Sequence, residues 1–337
     1  MKVLFIGGTG VISTACSELA VSRGIELYHL NRGKSTGSGA MAGVQTLLAD
    51  IRDTNAVQKA IKGHHFDVVV DWIAYEPAHI RNDITLFSGR TEQFIFISSA
   101  SVYQKPPQKL PITEETPLVN PFWEYSRKKI ACEEALRQEY AASGFPYTIV
   151  RPSHTYNPSK IPLIGGYTAF QRMKQGLPLI VPGDGTSLWT LTHHQDFAVG
   201  FVGLLGRSAA INEAFHITSD EWLPWNNIYR LFAAELGVEL QLVHLPSEVI
   251  AKYDAEIGDG LLGDKAHSMV FDNAKIRSLV PEFQPRTPFY TGVKEIVKWY
   301  AANPSAGQFD ERLSLVMDRA IADFDRMLKG GGSATTA

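Results

Sequence analysis

Met1-Lys2-Val3-Leu4-Phe5-Ile6-Gly7-Gly8-Thr9-Gly10-Val11-Ile12-Ser13 opens the chain, and its reading decides the fold. Val3–Ile6 is an apolar run without charge, which reads as a strand buried on both faces. Ser13–Arg23 is amphipathic and ends at Gly24, as a helix with a left-handed cap does. The glycines between them permit a tight turn and close approach of backbone to a phosphate. The helix behind them offers unpaired N–H groups and the positive end of its dipole. Strand, glycine turn and helix in that order make a dinucleotide cradle, with Gly7, Thr9, Gly10, Val11 and Ile12 as its contacts. Ser13 stands where a third glycine is usual and is small enough to pack closely.

The same alternation continues outward. Leu27–Leu30, Val44–Leu48, Val68–Trp72, Phe94–Ile97 and Tyr147–Val150 read as further buried strands. Thr54–Lys62 and Tyr125–Ser143 read as helices, each followed by glycine. Repeated strand and helix predict an α/β fold, a doubly wound parallel sheet with helices on both faces. From Asn157 the texture loosens, with prolines and glycines through Gly185. Helices are expected near Tyr167–Lys174, Asp196–Leu205, Pro224–Gly237, Lys275–Leu279, Tyr290–Ala302 and Asp310–Leu328. Strands are expected at Ala214–Ile217 and Leu240–Leu245. This part reads as a smaller, mixed α/β unit, and 329–337 as a flexible tail.

With 337 residues there is material for about two domains, and 45% hydrophobic content excludes global disorder. A formal net charge of -3 gives no electrostatic case for a nucleic-acid partner or a polybasic membrane protein. Cys16 and Cys132 are too few for a disulfide framework, and no metal-ligand spacing occurs, so no metal is expected. No apolar run approaches the ~20 residues of a membrane span. Soluble, cytoplasmic protein is the expectation.

Two further segments bear on a cofactor. Asp50 follows the third strand, before Ile51 and Asp53, where a carboxylate could reach an adenine amine; a helix cap is the competing use of Asp53. Where an acid would grip a ribose 2′-hydroxyl, the sequence has Asn31-Arg32-Gly33-Lys34. Arg32 can fork onto a 2′-phosphate and Lys34 adds a point charge, so NADP is favoured over NAD.

The chemistry lies in Ser98-Ser99-Ala100-Ser101-Val102-Tyr103 and in Tyr125-Ser126-Arg127-Lys128-Lys129. Tyr125 and Lys129 share a helical face. A free tyrosine, pKa ~10, is a poor base, and a neighbouring ammonium with a cationic nicotinamide brings it nearer working pH. A strand-end serine can hold the substrate oxygen.

These segments together resemble an extended short-chain dehydrogenase/reductase of the NAD-dependent epimerase/dehydratase family, from Met1 to about Tyr300. Arg151-Pro152 and His193–Asp196 belong to the likeness. The resemblance implies Tyr125 as acid/base, Lys129 as its electrostatic partner and ribose ligand, and Ser99 as donor to the substrate oxygen, with Ser98 and Ser101 as alternatives. It adds Ala74 and Pro152 to the cofactor contacts. It implies a Rossmann domain from 1–156 plus about 190–218, and a substrate cap from 157–189 plus about 219–328. It also implies a homodimer through the helix that begins at Tyr125.

Tyr75, Tyr103, Trp123, His154, Tyr156, Trp189, His193 and His194 fall where that likeness places substrate, with Ser101 as a further contact. For any one of the aromatics a packed core residue is the commoner use. His193 and His194 are expected on opposite sides of an extended segment. Trp189 stands where nucleotide-sugar enzymes carry an arginine for the diphosphate, and Leu261-Leu262-Gly263-Asp264 where a second is expected. The expected substrate is therefore a small polar, sugar-like molecule, uncharged or singly charged, oxidised, reduced or epimerised at a hydroxyl or carbonyl carbon. No Asp-Glu pair sits beside Ser99, which ranks dehydration last. The rivals are a nucleotide-sugar enzyme with a rearranged diphosphate site and a cofactor-binding sensor or scaffold without turnover.

Overall fold

The computed structural model describes residues 1–33 and 41–330. Lys34 and residues 331–337 of the expected tail lie outside the described residues. Seven strands form one sheet: β1 (Lys2–Ile6), β2 (Glu26–Asn31), β3 (Val44–Leu48), β4 (Phe66–Asp71), β5 (Thr91–Ile97), β6 (Tyr147–Pro152) and β7 (Glu213–Ile217). Their order is β7-β6-β5-β4-β1-β2-β3, and every neighbouring pair is parallel. The chain winds from β1 to one side through β2 and β3, then returns to build the other side from β4. That reversal, between β1 and β4, is where such sheets open a crevice at their carboxyl ends.

The helices α1 (Val11–Ser22), α2 (Thr54–Ala60), α3 (Pro77–Phe87) and α4 (Glu124–Ser143) follow β1, β3, β4 and β5. Successive residues of β1 serve opposite faces. Val3 and Phe5 pack with Ala15 of α1 and with Phe197 and Phe201 of the helix His194–Leu204. Leu4 and Ile6 pack with Ile80 of α3 and with Cys132 and Leu136 of α4. Both faces of β1 are covered, which is why it carries no polar alternation; Val44–Leu48, expected to be buried, is instead an outer strand of the sheet, with Gln45, Thr46 and Leu48 exposed because it has a neighbour on one side only.

A third core lies beyond the sheet's carboxyl end, around Tyr156, Phe170, Trp225, Phe232 and Val293. Its frame is three two-stranded pairings: His154–Tyr156 with Leu191–His193, Leu188–Trp189 with Leu223–Pro224, and Leu179–Pro182 with Leu242–Leu245. The helix Glu311–Gly330 docks on it through Arg172, fully buried, which donates to Ser314 Oγ at 2.6 Å and Asp318 Oδ1 at 2.5 Å. No described helix is long and apolar enough to cross a membrane.

Candidate active site

Two cavities open at the carboxyl end of the sheet. One, of about 530 Å³, is lined by Gly7, Thr9 and Gly10, by Asn31 and Arg32, and by Asp50, Ile51, Arg52 and Ile73. The other, of about 430 Å³, is lined among others by Val11, Ile12, Ser99, Ser101, Trp123, Tyr125, Lys129, Pro152, His154 and Trp189. Gly10 lines the first and its neighbour Val11 the second, so the cavities adjoin along the glycine turn.

The turn has the shape a dinucleotide needs. Gly7 has φ 85°, and a Cβ there would stand 2.5 Å from Ile73 Cγ2. Gly8 lies against the His29 ring, which leaves no room for a side chain. Ser13, buried in the place of the third glycine, accepts the Gly10 N–H on its hydroxyl at 2.7 Å and so caps α1. The amides of Val11 and Ile12 come first in α1 and have no intrahelical acceptor. Open backbone donors and a helix N-terminus are the donor set a pyrophosphate takes, so these residues fit an NAD-type cofactor.

In the larger cavity Arg32 Nη1 lies 3.9 Å from Asp50 Oδ2, both partly exposed. Asp50 Oδ1 accepts the Arg52 N–H at 3.0 Å, and Asp53 caps α2 through the Ala56 N–H at 3.0 Å. Arg52 is a cation that the sequence pattern does not single out. It lines this cavity and donates to the Ile73 carbonyl at 3.3 Å. Lys34, the other expected cation, lies outside the described residues.

The catalytic candidates converge where β5 meets α4. Lys129 is buried, and its Nζ donates to the carbonyls of Ala74 at 2.6 Å and Ile97 at 2.7 Å. Ala74 thus meets Lys129 through its backbone. Burial brings the Lys129 ammonium down to about 8. The ammonium stands 5.8 Å from the Tyr125 ring centroid. Burial pushes the Tyr125 phenol above its ordinary value, with the Asp264 carboxylate adding to it and the Ser99 hydroxyl pulling back. In the protein alone, burial outweighs the Ser99 hydroxyl, and the phenol is held protonated.

The three serines separate by their partners. Ser98 Oγ donates to Glu133 Oε1 at 2.7 Å and is buried. Ser101 Oγ accepts from Ser126 Oγ at 2.7 Å and lies 2.9 Å from Ser99 Oγ. Ser99 ends this hydroxyl chain on the side of Tyr125.

Of the expected substrate residues, Ser101, Trp123, His154 and Trp189 line the smaller cavity; Tyr75 and His193 do not. Tyr75 is exposed, its ring against His79 and 5.7 Å from the Lys128 ammonium. His193 Nε2 lies 3.0 Å from Glu295 Oε2. The two histidines are not on opposite sides, because the chain turns into a helix at His194 and brings their ring centroids to 4.5 Å. Tyr103 and Tyr156 are core residues, and Tyr103 OH pairs with His216 Nδ1 at 3.0 Å. Sequence reasoning missed Lys160, Asp264 and Lys265, which also line this cavity. Lys265 is the immediate neighbour of Leu261–Asp264, and the tertiary fold places its ammonium 5.5 Å from the Trp123 ring centroid and 5.8 Å from that of Trp189. Among the described residues no cluster of metal-ligating side chains occurs.

The family model described as "NAD dependent epimerase/dehydratase family" matches residues 3–218. The chain is 28% identical over 256 residues to the chloroplast stem-loop binding protein of 41 kDa b from Arabidopsis thaliana, covering 72% of this chain and 65% of that protein. It therefore spans just under two thirds of that relative's length. It is 24% identical over 291 residues to the 2'-dehydrokanamycin reductase of Streptomyces kanamyceticus, covering 85% of this chain and 81% of that one. Its fold is similar to that of UDP-glucose 4-epimerase from Bifidobacterium longum, solved in complex with NAD+ and UDP. There the TM-score is 0.74 at 18% identity, over 91% of this chain and 100% of that one.

Proposed function

The chain belongs to the NAD dependent epimerase/dehydratase family, and from that premise we propose an NADP-preferring oxidoreductase or epimerase acting at a hydroxyl or carbonyl carbon of a small, polar, sugar-like substrate. The observation that carries this reading is the gathering of Ser99, Tyr125 and Lys129 in one cavity that adjoins the glycine turn. Gly7–Ile12 would hold the pyrophosphate of a bound dinucleotide, and Arg32 and Arg52 would serve its adenosine part. When bound, the cofactor would supply a hydride acceptor or donor.

In the oxidising direction the Tyr125 oxygen takes the proton of the substrate hydroxyl. Ser99 Oγ donates a hydrogen bond to that oxygen and fixes its distance from the phenol. Lys129, held by two carbonyls, keeps a positive charge behind the ring and favours loss of the phenol proton to solvent, so that the phenolate is in place before it takes the substrate proton. In reduction Tyr125 returns the proton. Pro152 and Trp123 wall the site and limit water at the reacting carbon. The relative that binds stem-loops supports a second reading, a cofactor-bound scaffold without turnover; the Tyr125/Lys129 pair speaks against it, and so does the net charge of -3.

The test is a panel of polyols, free sugars and nucleotide sugars, with NADP and with NAD, followed by the absorbance of the reduced nicotinamide. Turnover by the parent is expected on at least one non-nucleotide substrate. The Tyr125→Phe variant is expected to lose about 10²–10⁴-fold in rate with cofactor binding retained. Equal rates for the two proteins would overturn the assignment of Tyr125.

A further inference from the structure

The cap side of the smaller cavity holds more positive charge than its walls neutralise. Lys265 Nζ lies 5.5 Å from the ring centroid of Trp123 and 5.8 Å from that of Trp189. The ammonium is thus set between two indoles, whose faces attract a cation but leave its hydrogens without acceptors. Asp264, the one carboxylate among the described lining residues, acts on Lys265 through space alone. Its Oδ1 lies 3.3 Å from Nζ of Lys105, whose side chain is fully buried. Asp264 therefore already answers one buried lysine.

Lys160 reaches the same cavity from the loop after the strand His154–Tyr156. Lys160 is exposed as a residue; partial desolvation of its ammonium, then the charge of Lys265, holds it below its ordinary value. Burial and both ammoniums keep His154 neutral, and its Nε2 has no partner among the described residues. Nor, among those residues, has the indole N–H of Trp189, which is only 3% exposed. A buried donor left unpaired costs free energy, as do like charges brought together, and both costs fall when an anion sits among them.

Resting on the reading of this cavity as the substrate site, we propose that the substrate carries a single anionic group, a carboxylate or a phosphate monoester. That group is seated at Lys265 and Lys160 with the Trp189 N–H as third donor. The reacting carbon is then directed to Tyr125 and Ser99 on the opposite wall. No arginine stands among the described lining residues, so the bidentate fork that suits a diphosphate is lacking, and two lysines act as point charges. The charge that the sequence pattern does not locate in the cap is supplied by Lys265, next to the Leu261–Asp264 segment that lacks the expected arginine.

Calorimetry on the NADP-loaded protein tests this with glucuronate, glucose 6-phosphate, inorganic phosphate, glucose and UDP. Glucuronate or glucose 6-phosphate is expected to bind about ten-fold or more tightly than glucose. Inorganic phosphate is expected to compete with it. Lys265→Met, which keeps the length of the side chain without its charge, is expected to abolish that preference, and Lys160→Met to reduce it. Melting curves establish that each variant is folded; if one is not, the other carries the comparison. Any of these binding results overturns the proposal: glucose binding as tightly as both anions, no binding of any anion, a preference left undiminished in the folded variants, or UDP binding ten-fold more tightly than either sugar anion. Cofactor affinity is read separately. A parent that fails to bind NADP or NAD would sink the oxidoreductase reading. Hydride transfer with neutral polyols alone would sink this inference and leave that reading standing.

Discussion

Arg151 grips Glu133 through two hydrogen bonds, Nε to Oε1 at 3.0 Å and Nη2 to Oε2 at 2.7 Å, with both side chains buried. Glu133 lies one turn beyond Lys129 on α4, and Arg151 lies in β6. The pair therefore pins the helix that carries Tyr125 and Lys129 against the sheet. Ser98 Oγ donates to the same carboxylate, and Arg151 Nη1 donates to Tyr103 OH at 3.1 Å. Burial alone would push the Glu133 carboxyl up; the Arg151 charge and the hydrogen bonds overcome it and leave it below its ordinary value. Arg151, which the sequence likeness marks without a role, is a positioning residue.

Glu133→Gln is expected to cost about 3–5 kcal/mol of stability, because it strands a buried guanidinium. Glu133→Gln combined with Arg151→Met removes that unpaired charge and is expected to cost less than the two single changes added. Urea denaturation of the three variants measures the coupling. Additive losses would mean that the pair holds nothing in common.

The Lys129 contacts lead to a second prediction. Lys129→Met removes the donor to Ala74 and Ile97 and the charge behind Tyr125, so both turnover and cofactor affinity are expected to fall. The phenol of Tyr125 is held above its ordinary value by burial, so near neutral pH it is an acid. Oxidation, which needs the base, is expected to quicken as pH rises. Reduction, which needs the acid, is expected to slow over the same range. Rate profiles in both directions check the sign, and a flat profile in the parent would count against Tyr125 as the titrating group.

Cofactor choice is expected to turn on Arg32 and Arg52. Each charge-assisted bond to a 2′-phosphate is worth about 1.5–3 kcal/mol, enough for a ten-fold or greater preference for NADP. Asp50, 3.9 Å from Arg32, tempers that charge. Arg32→Ala is expected to shift the ratio of dissociation constants toward NAD, and Arg52→Ala to shift it less, since Arg52 is partly engaged by the Ile73 carbonyl. Equal affinities in the parent would refute the preference.

The inner strands of the sheet were legible because their central residues are buried on both faces and apolar, and because glycine follows so many helices; β3, at the sheet's end with Gln45, Thr46 and Leu48 exposed, was not legible as an outer strand. α3 was not legible: Ile80, Ile84 and Phe87 recur at helical spacing, but Asp83 is buried among them and breaks the apolar stripe. Tyr125, Lys129 and the glycine turn could be read because their geometry is local to one helix or one turn. Lys160, Lys265 and Arg52 could not, because each meets its cavity only through the tertiary path of the chain. Lys265 ends a π-helical turn, Leu261–Lys265, a form with no spacing rule by which to orient its side chain in advance. The outward turn of Tyr75 and the Glu295 partner of His193 are likewise facts of packing.

Three histidines, His29 and His216 buried and His194 half-buried, set the last prediction. Burial brings His29, His194 and His216 down to about 4. His29 Nε2 lies 2.9 Å from Ser17 Oγ under the glycine turn; His216 Nε2 lies 2.7 Å from the Asp272 carbonyl and its Nδ1 faces Tyr103. The unfolded chain would titrate these rings near ~6.5. Between about 4 and 6.5 the unfolded state therefore binds more protons than the folded one, so stability rises with pH across that window. It is fully present above about 6.5 and is lost as pH falls toward 4. The melting temperature is expected to drop steeply from about pH 7 to about pH 5, where exposed carboxylates are still ionised. His29→Gln keeps a polar partner for Ser17 and removes one of the three titrations, so its curve should be shallower even if it starts lower. Parallel curves for the parent and the variant would show that His29 does not take up a proton on unfolding.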